Sequence, residues 1–161
     1  MARLTKTVFR LTLILALAPL SGCAQSIYVK AGPQATAALC GNLLLDTPET
    51  LAGLPRQKTT SQATTAWGKP GAAITLTCGA KPAEPSAGDC QSISARVRNT
   101  AVTLEWIAQG NNENGWQFTT FGTQPTVVVQ VPPSIELSQP SAVLVDLAPA
   151  LSQLPVNRNC V

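Results

Sequence analysis

The chain has 161 residues, 12% of them charged, no histidine, and a formal net charge of +3. The length suits one domain with a real core. The lack of histidine excludes Ser-His-Asp and Cys-His catalysis and His-based zinc or iron sites.

Arg3, Lys6 and Arg10 precede an apolar segment of ten residues, Leu11 to Leu20. A bilayer-spanning helix needs about 20 apolar residues, so this segment is too short to cross. It has the length of a secretory signal core. Leu20-Ser21-Gly22-Cys23 follows, with a small residue directly before the cysteine and a leucine three positions before it. That is the pattern of a lipoprotein cleavage site. Residues 1–22 are therefore expected to be a lipoprotein signal peptide, and Cys23 the lipid attachment residue, its thiol joined to diacylglycerol. Each buried methylene adds about 0.8 kcal/mol of membrane affinity, so two or three acyl chains hold far more firmly than one. The expected location is the extracytoplasmic face of the cell membrane. The three early cations all lie in the removed segment, which leaves eight Lys/Arg against eight Asp/Glu. A nucleic-acid partner would need a basic face to displace phosphate counterions, and no nucleic acid is expected.

Residues 23–32 read as a lipidated tether and residues 33–161 as a single extracytoplasmic domain. After Pro33, which suits a first helical turn, Leu39, Cys40, Leu43 and Leu44 recur at helical spacing. Thr47-Pro48-Glu49 predicts a short second helix through Leu51, ended by Gly53 and Pro55. Lys58 to Thr65 is polar and reads as loop. Ala72 to Cys78 alternates, with Ile74, Leu76 and Cys78 on one face and Ala73, Thr75 and Thr77 on the other, which predicts a half-buried strand. Val102, Leu104, Trp106 and Ala108 alternate in the same way. Asn111 to Gly115 is a strong turn signal before Trp116 to Phe121, and the pair predicts a β-hairpin with a five-residue loop. Thr126 to Val131 is a further β-branched run, closed by Pro132-Pro133.

The tail echoes the start. Leu43-Leu44-Leu45-Asp46 followed by Leu51, Leu54 and Pro55 matches Val143-Leu144-Val145-Asp146 followed by Leu151, Leu154 and Pro155. Asp46 and Asp146 are each expected to cap a short helix. The simplest architecture is α+β: an antiparallel sheet of four to five strands with helices packed on one face.

Setting Cys23 aside leaves Cys40, Cys78, Cys90 and Cys160. An even number in an exported chain reads as two disulfides. The Pro/Gly-rich stretch between Cys78 and Cys90, with Pro82, Pro85 and Gly88, favours Cys78–Cys90, which leaves Cys40–Cys160. The spacing lacks any C-x-x-C, so no metal site is expected.

Chemistry-bearing motifs are scarce. No S-x-x-K follows Cys23, and no phosphate-binding, dinucleotide-binding or calcium-binding loop occurs. Glu105 and Glu113 flank the expected hairpin turn, and no catalytic acid pair is assigned. No enzyme activity and no cofactor are expected. The aromatics are the better clue. Trp67, in Ala66-Trp67-Gly68-Lys69-Pro70, reads as a turn residue and is the candidate contact for a ligand or partner, set against capping of the core. Trp106 and Trp116 flank the hairpin loop and are expected to meet across strands.

Leu51-Ala52-Gly53-Leu54-Pro55-Arg56, Ala66-Trp67-Gly68-Lys69-Pro70, Leu76-Thr77-Cys78-Gly79, Phe118-Thr119-Thr120-Phe121-Gly122, Val127 to Pro132, Leu144-Val145-Asp146-Leu147 and Cys160 occur in this order. Together they resemble an uncharacterised actinobacterial family of exported, membrane-anchored proteins, the domain of unknown function 3515. The resemblance spans nearly all of the chain after Cys23. It implies an envelope location and the cysteine framework, and it brings no activity, cofactor or catalytic residue. Thr123 stands where the resemblance leads one to expect a basic residue. The leading functional expectation is a non-catalytic envelope lipoprotein acting through another envelope protein or in envelope assembly. The alternative is a small-molecule or lipid-binding module with a cavity between sheet and helices.

Overall fold

The computed structural model describes residues 25–84 and 90–160. Cys23, the expected signal peptide, and Pro85 and Gly88 lie outside the described residues. The order of elements is α1 (Ala38–Leu45), β1 (Thr50–Leu51), β2 (Leu54–Gln57), β3 (Thr64–Lys69), β4 (Ala72–Cys78), β5 (Cys90–Val97), β6 (Thr100–Asn111), β7 (Gly115–Phe121), β8 (Val127–Val131) and α2 (Ala142–Leu151). The strands form one sheet of eight, in the order β1-β2-β3-β4-β8-β7-β6-β5, with antiparallel neighbours throughout.

The expectation of four to five strands is thus corrected to eight, for three physical reasons. Residues Thr64 to Gly68 of β3 are buried on both faces, so they lack the alternation by which a half-buried strand is read. The stretch expected as a second helix is instead a hairpin. Leu51 pairs with Leu54, and the two turn residues Ala52 and Gly53 sit at φ 50° and 75°. A two-residue hairpin turn of type I′ needs two positive φ angles. Thr47 does not cap a new helix; its hydroxyl donates back to the Leu44 carbonyl at the end of α1, 2.7 Å away. The third reason is β5, whose turn into β6 is Arg98-Asn99, at φ 46° and 68°. That pair carries none of the usual Asn-Gly signal.

α1, β4, the β6–β7 hairpin and β8 lie close to where the sequence places them. Asp46 does not open a helix as expected: it is the C-cap of α1, and strand β1 follows it. Asp146 lies mid-helix and exposed in α2, which starts earlier than its leucine pattern implies.

Both helices contribute to one core with the inner sheet face. Cys40 and Leu43 of α1 and Val143, Leu144, Leu147 and Leu151 of α2 join Ile74, Leu76, Trp106, Phe118, Val127 and Val129 in one buried cluster. Cross-strand register aligns Leu76 with Val129, and Val129 with Phe118.

Two disulfides are present, Cys40–Cys78 and Cys90–Cys160. The expected partners, Cys78–Cys90 and Cys40–Cys160, are corrected by topology. Strands β4 and β5 are four places apart in the sheet. At about 4.8 Å per place they stand roughly 19 Å apart, beyond the ~7 Å between Cα atoms that a disulfide tolerates. Cys78 also faces the helices, where Cys40 brings its Cα within 5.6 Å.

Among the described residues, the outer face is covered only at its two ends. At one end residues 27–34 cross it. The Ile27 amide donates to the Lys58 carbonyl (2.9 Å), and the Thr60 amide to the Ile27 carbonyl (3.0 Å). Ile27 and Val29, within the stretch read as a tether, are buried with Ala66 and Ala73. At the other end the C-terminal segment folds back: the Asn157 amide donates to the Gly122 carbonyl (2.7 Å), and the Arg158 guanidinium lies 5.2 Å from the Phe121 ring centroid. A side chain at Gly122 would strike the Arg158 backbone. Thr123 is buried in this junction, its hydroxyl donating to Thr120 at 2.6 Å.

Digestion without reducing agent should give one linked pair of peptides containing Cys40 and Cys78 and another containing Cys90 and Cys160, read by mass spectrometry. A Cys78–Cys90 link would overturn the topology. The double substitution Cys40→Ala/Cys78→Ala should cost about 2–4 kcal/mol in denaturant melts.

Candidate functional site

The three tryptophans have three different fates. Trp67, the residue expected to contact a ligand, is fully buried on β3, and its indole N–H donates to the Pro48 carbonyl at 2.8 Å. It therefore ties the segment after α1 to the sheet and offers no surface for stacking. Trp106 is also buried, on β6, and its indole N–H finds no partner among the described residues. It pairs across strands with Thr120, while Trp116 pairs with Gly110, so the expected Trp106–Trp116 contact is not a cross-strand pair.

Trp116 is half-buried at the start of β7. Its ring lies nearly parallel to Phe118, with centroids 6.1 Å apart and planes 9° apart. Its indole N–H donates to Asn112 Oδ1 at 3.0 Å. The loop that carries Asn112 is itself braced, because Asn111 Oδ1 accepts from the amides of Glu113 (3.0 Å) and Asn114 (2.8 Å). The ring is thus held in place from two directions before anything approaches it, which lowers the entropic cost of contact.

The Trp116 side chain lies on the inner face with Phe118 and Val131, and two hollows lie at its end of the sheet, one on each face. One, about 320 Å³, lies between the ring and the segment after β8, with Asn112, Pro133, Ile135 and Glu136 among its walls. The other, about 510 Å³, opens on the outer face and includes Thr75, Gln109, Gln117 and Gln130. These four form one cross-strand row. Thr75 on β4 pairs with Gln130 on β8, Gln130 with Gln117 on β7, and Gln117 with Gln109 on β6. Three of them are already hydrogen-bonded in sequence. The Thr75 hydroxyl donates to Gln130 Oε1 (3.4 Å), and Gln130 Nε2 donates to Gln117 Oε1 (3.2 Å). A third hollow, about 470 Å³, continues past Thr75 and Gln130 to the N-terminal arm, where Tyr28, Lys30 and Lys81 line it. Tyr28 is 79% exposed.

The acids make local contacts. Glu105 accepts from the Ser92 hydroxyl through both oxygens (3.1 and 2.9 Å), and Asp46 accepts from Gln153 Nε2 (3.1 Å). Glu105 also lies within 4.8 Å of the sulfurs of Cys90 and Cys160. Those sulfurs are joined to each other, so neither is a thiolate donor.

Sequence reading placed Thr75 on the face opposite the core but missed Gln109, Gln117 and Gln130 as a group. Each falls at an outward position of its own strand. Their alignment comes from the pairing of strands distant in sequence, for which no local pattern exists.

These features define an α+β domain whose antiparallel sheet is packed by helices on one face and left open and polar over the middle of the other. The chain belongs to the family described as Protein of unknown function (DUF3515), whose model matches residues 6–158. Neither the curated proteins nor the solved structures yield a match.

Trp67→Phe and Trp106→Phe delete the same atoms, but only the first breaks a hydrogen bond. Trp67→Phe should be the more destabilising by about 1 kcal/mol in urea melts. Equal losses would overturn the roles assigned to the two indoles.

Proposed function

We propose that this protein is a non-catalytic lipoprotein of the cell envelope, held by Cys23 on the extracytoplasmic face of the membrane, that acts by binding through the open face of its sheet. The observation that carries this reading is the polar row Thr75–Gln130–Gln117–Gln109 across the uncovered middle of the sheet. A sheet face left without helices is ordinarily solvated at random. Here the amides are aligned and joined, and hollows lie on either side of the shared pair Thr75 and Gln130.

Two disulfides suit an oxidising space outside the cytoplasm. The signal pattern of residues 1–22 supports the same location. Ile27, where the chain is fixed to the sheet, lies four residue steps after Cys23. Extended chain covers at most about 3.6 Å per residue, roughly 14 Å in all, so the domain sits close to its anchor. The space between sheet and helices is filled by Trp67, Trp106, Phe118 and leucines, which favours a ligand on the outer face over one in the interior. The absence of histidine and the local engagement of Glu105 and Asp46 support a binding role over a catalytic one.

Two measurements test this reading. The N-terminal peptide of the membrane-purified protein should begin at Cys23 and carry acyl mass; a free or uncleaved N-terminus would overturn the anchor. A photo-cross-linking amino acid at Gln117 should capture an envelope component in native membranes, while the same group at the exposed Val145 of α2 should not. Equal capture from both positions, or none from Gln117, would overturn the open face as the binding surface.

A further inference from the structure

We propose that the arm end of the outer face docks on anionic lipid headgroups of the membrane that holds the protein, with Lys30 and Lys81 on headgroup phosphates and the Tyr28 ring at headgroup level. The proposal rests on the reading of Cys23 as the lipid anchor and names what this end of the face meets.

The N-terminal arm shows which of its side chains are spare. Ile27 and Val29 are buried with Ala66 and Ala73, while Ser26, Tyr28 and Lys30 are exposed. That is the period of two of an extended chain with one side on a sheet. Burial of Ile27 and Val29 fixes the arm, so Tyr28 and Lys30 are held outward before anything meets them. Tyr28 is 79% exposed, which leaves an apolar ring in water. Tyrosine rings are enriched where membrane meets water, at the level of the headgroups.

Charge points the same way. Four lysines follow Cys23, and none lies beyond Lys81. Among the described residues the one ion pair joins Arg56 to Glu49, so these lysines keep their charge unpaired. The hollow of about 470 Å³ beside the arm has Lys30 and Lys81 on its walls and no acid. Glu84, three residues beyond Lys81, lies outside those walls. Two ammonium groups suit a phosphate. Thr75, Thr77 and Gln130 complete the hollow with hydroxyls and an amide, which suit the polyol part of a headgroup.

The anchor supplies the occupant. Tyr28 lies five residue steps after Cys23. Extended chain at 3.6 Å per step keeps it within roughly 18 Å of the lipidated residue. A lipid surface tethered that close is met at high effective concentration, so a weak site is filled. Each lysine near an anionic surface favours contact about fivefold. A soluble anion has no such tether, and a nucleic acid would need a longer basic track to displace its counterions.

The test uses the acylated chain purified from membranes, ¹⁵N-labelled and set in lipid nanodiscs that carry a nitroxide on some headgroups, followed by NMR. The discs are of phosphatidylcholine alone or of an equal mixture with phosphatidylglycerol. In the mixed discs the amide signals of Tyr28, Lys30 and Lys81 should be broadened most, and that of Val145 on α2 least. Neutral discs should weaken the broadening, and so should added salt, which screens exposed charges. Lys30→Gln and Lys81→Gln should each lower the ratio of docked to free domain about fivefold. Both side chains are exposed, so neither change disturbs the core. Tyr28→Ala should lower the ratio as well and leave its salt dependence in place. The proposal is overturned if the broadening is the same in both kinds of disc, or if it centres on α2 or the C-terminal segment. It is also overturned if glycerol phosphate in solution moves the Lys30 and Lys81 signals while the discs do not broaden them, since the site then takes a free phosphate. A failed anchor is read separately, as an N-terminal peptide without acyl mass, and removes the proposal with it. An acylated chain without the broadening removes the proposal alone.

Discussion

Strands β1 to β4 and strands β5 to β8 are each a simple meander, in which every strand pairs with the next one along the chain. Among the described residues, the two meanders are joined into one sheet through a single pairing, β4 with β8, at Thr75–Gln130, Leu76–Val129, Thr77–Val128 and Cys78–Val127. Side chains alternate between faces with a period of two, so a slip of one residue here would turn one meander inside out relative to the other. The observed register sends Leu76, Val129, Cys78 and Val127 to the helices together. It also sets Cys78 beneath Cys40. Thr75 and Gln130, on the opposite face, are brought together by the same register, and Gln130 in turn meets Gln117. The polar row of the candidate site is therefore a by-product of the pairing that closes the core.

The outer face shows where cover is needed and where it is not. Ala66 and Ala73 lie under Ile27 and Val29 of the N-terminal arm. Phe121 lies under Arg158 of the C-terminal segment, a cation–π contact, and that segment is fixed to the edge strand by Cys90–Cys160. Cover thus coincides with apolar side chains. The middle of the face, where Thr75, Gln109, Gln117 and Gln130 stand, is left without it. Water satisfies such groups at little cost, and a polar ligand can replace that water without stranding a donor.

Legibility in the sequence followed one rule. Elements with a local signal were readable: β4 and β6 alternate, β7 follows a strong turn signal, β8 is a β-branched run closed by prolines, and α1 carries a helical stripe. β3 was unreadable because burial on both faces removes alternation. β1 with β2, and β5 with β6, turn through Ala52-Gly53 and Arg98-Asn99, and three of these four residues pass the left-handed region without glycine. The disulfide pairing was unreadable for a related reason, since Cys78 and Cys90, close in sequence, stand on strands four places apart in the sheet. The echo of Leu43–Asp46 in Val143–Asp146 is real as far as it goes, because both quartets lie within or at the end of a helix. It then diverges, since Ala52-Gly53 bends one copy into a hairpin while Leu151 and Leu154 of the other pack directly on the core.

The same distinction separates Trp67 from Trp116. Both stand beside glycine and near turns, and local sequence gives no reason to rank them. Trp67 becomes core because β3 is an interior strand and Pro48 supplies an acceptor at depth. Trp116 stays half-open because it begins β7 at the end of the sheet, where the hairpin loop rather than the core receives its indole N–H. The open face also has a direction. Tyr28, Lys30 and Lys81 border its arm end, while an uncharged lining marks the other. On the proposed anchoring through Cys23, the arm end of this face is the end nearer the anchor.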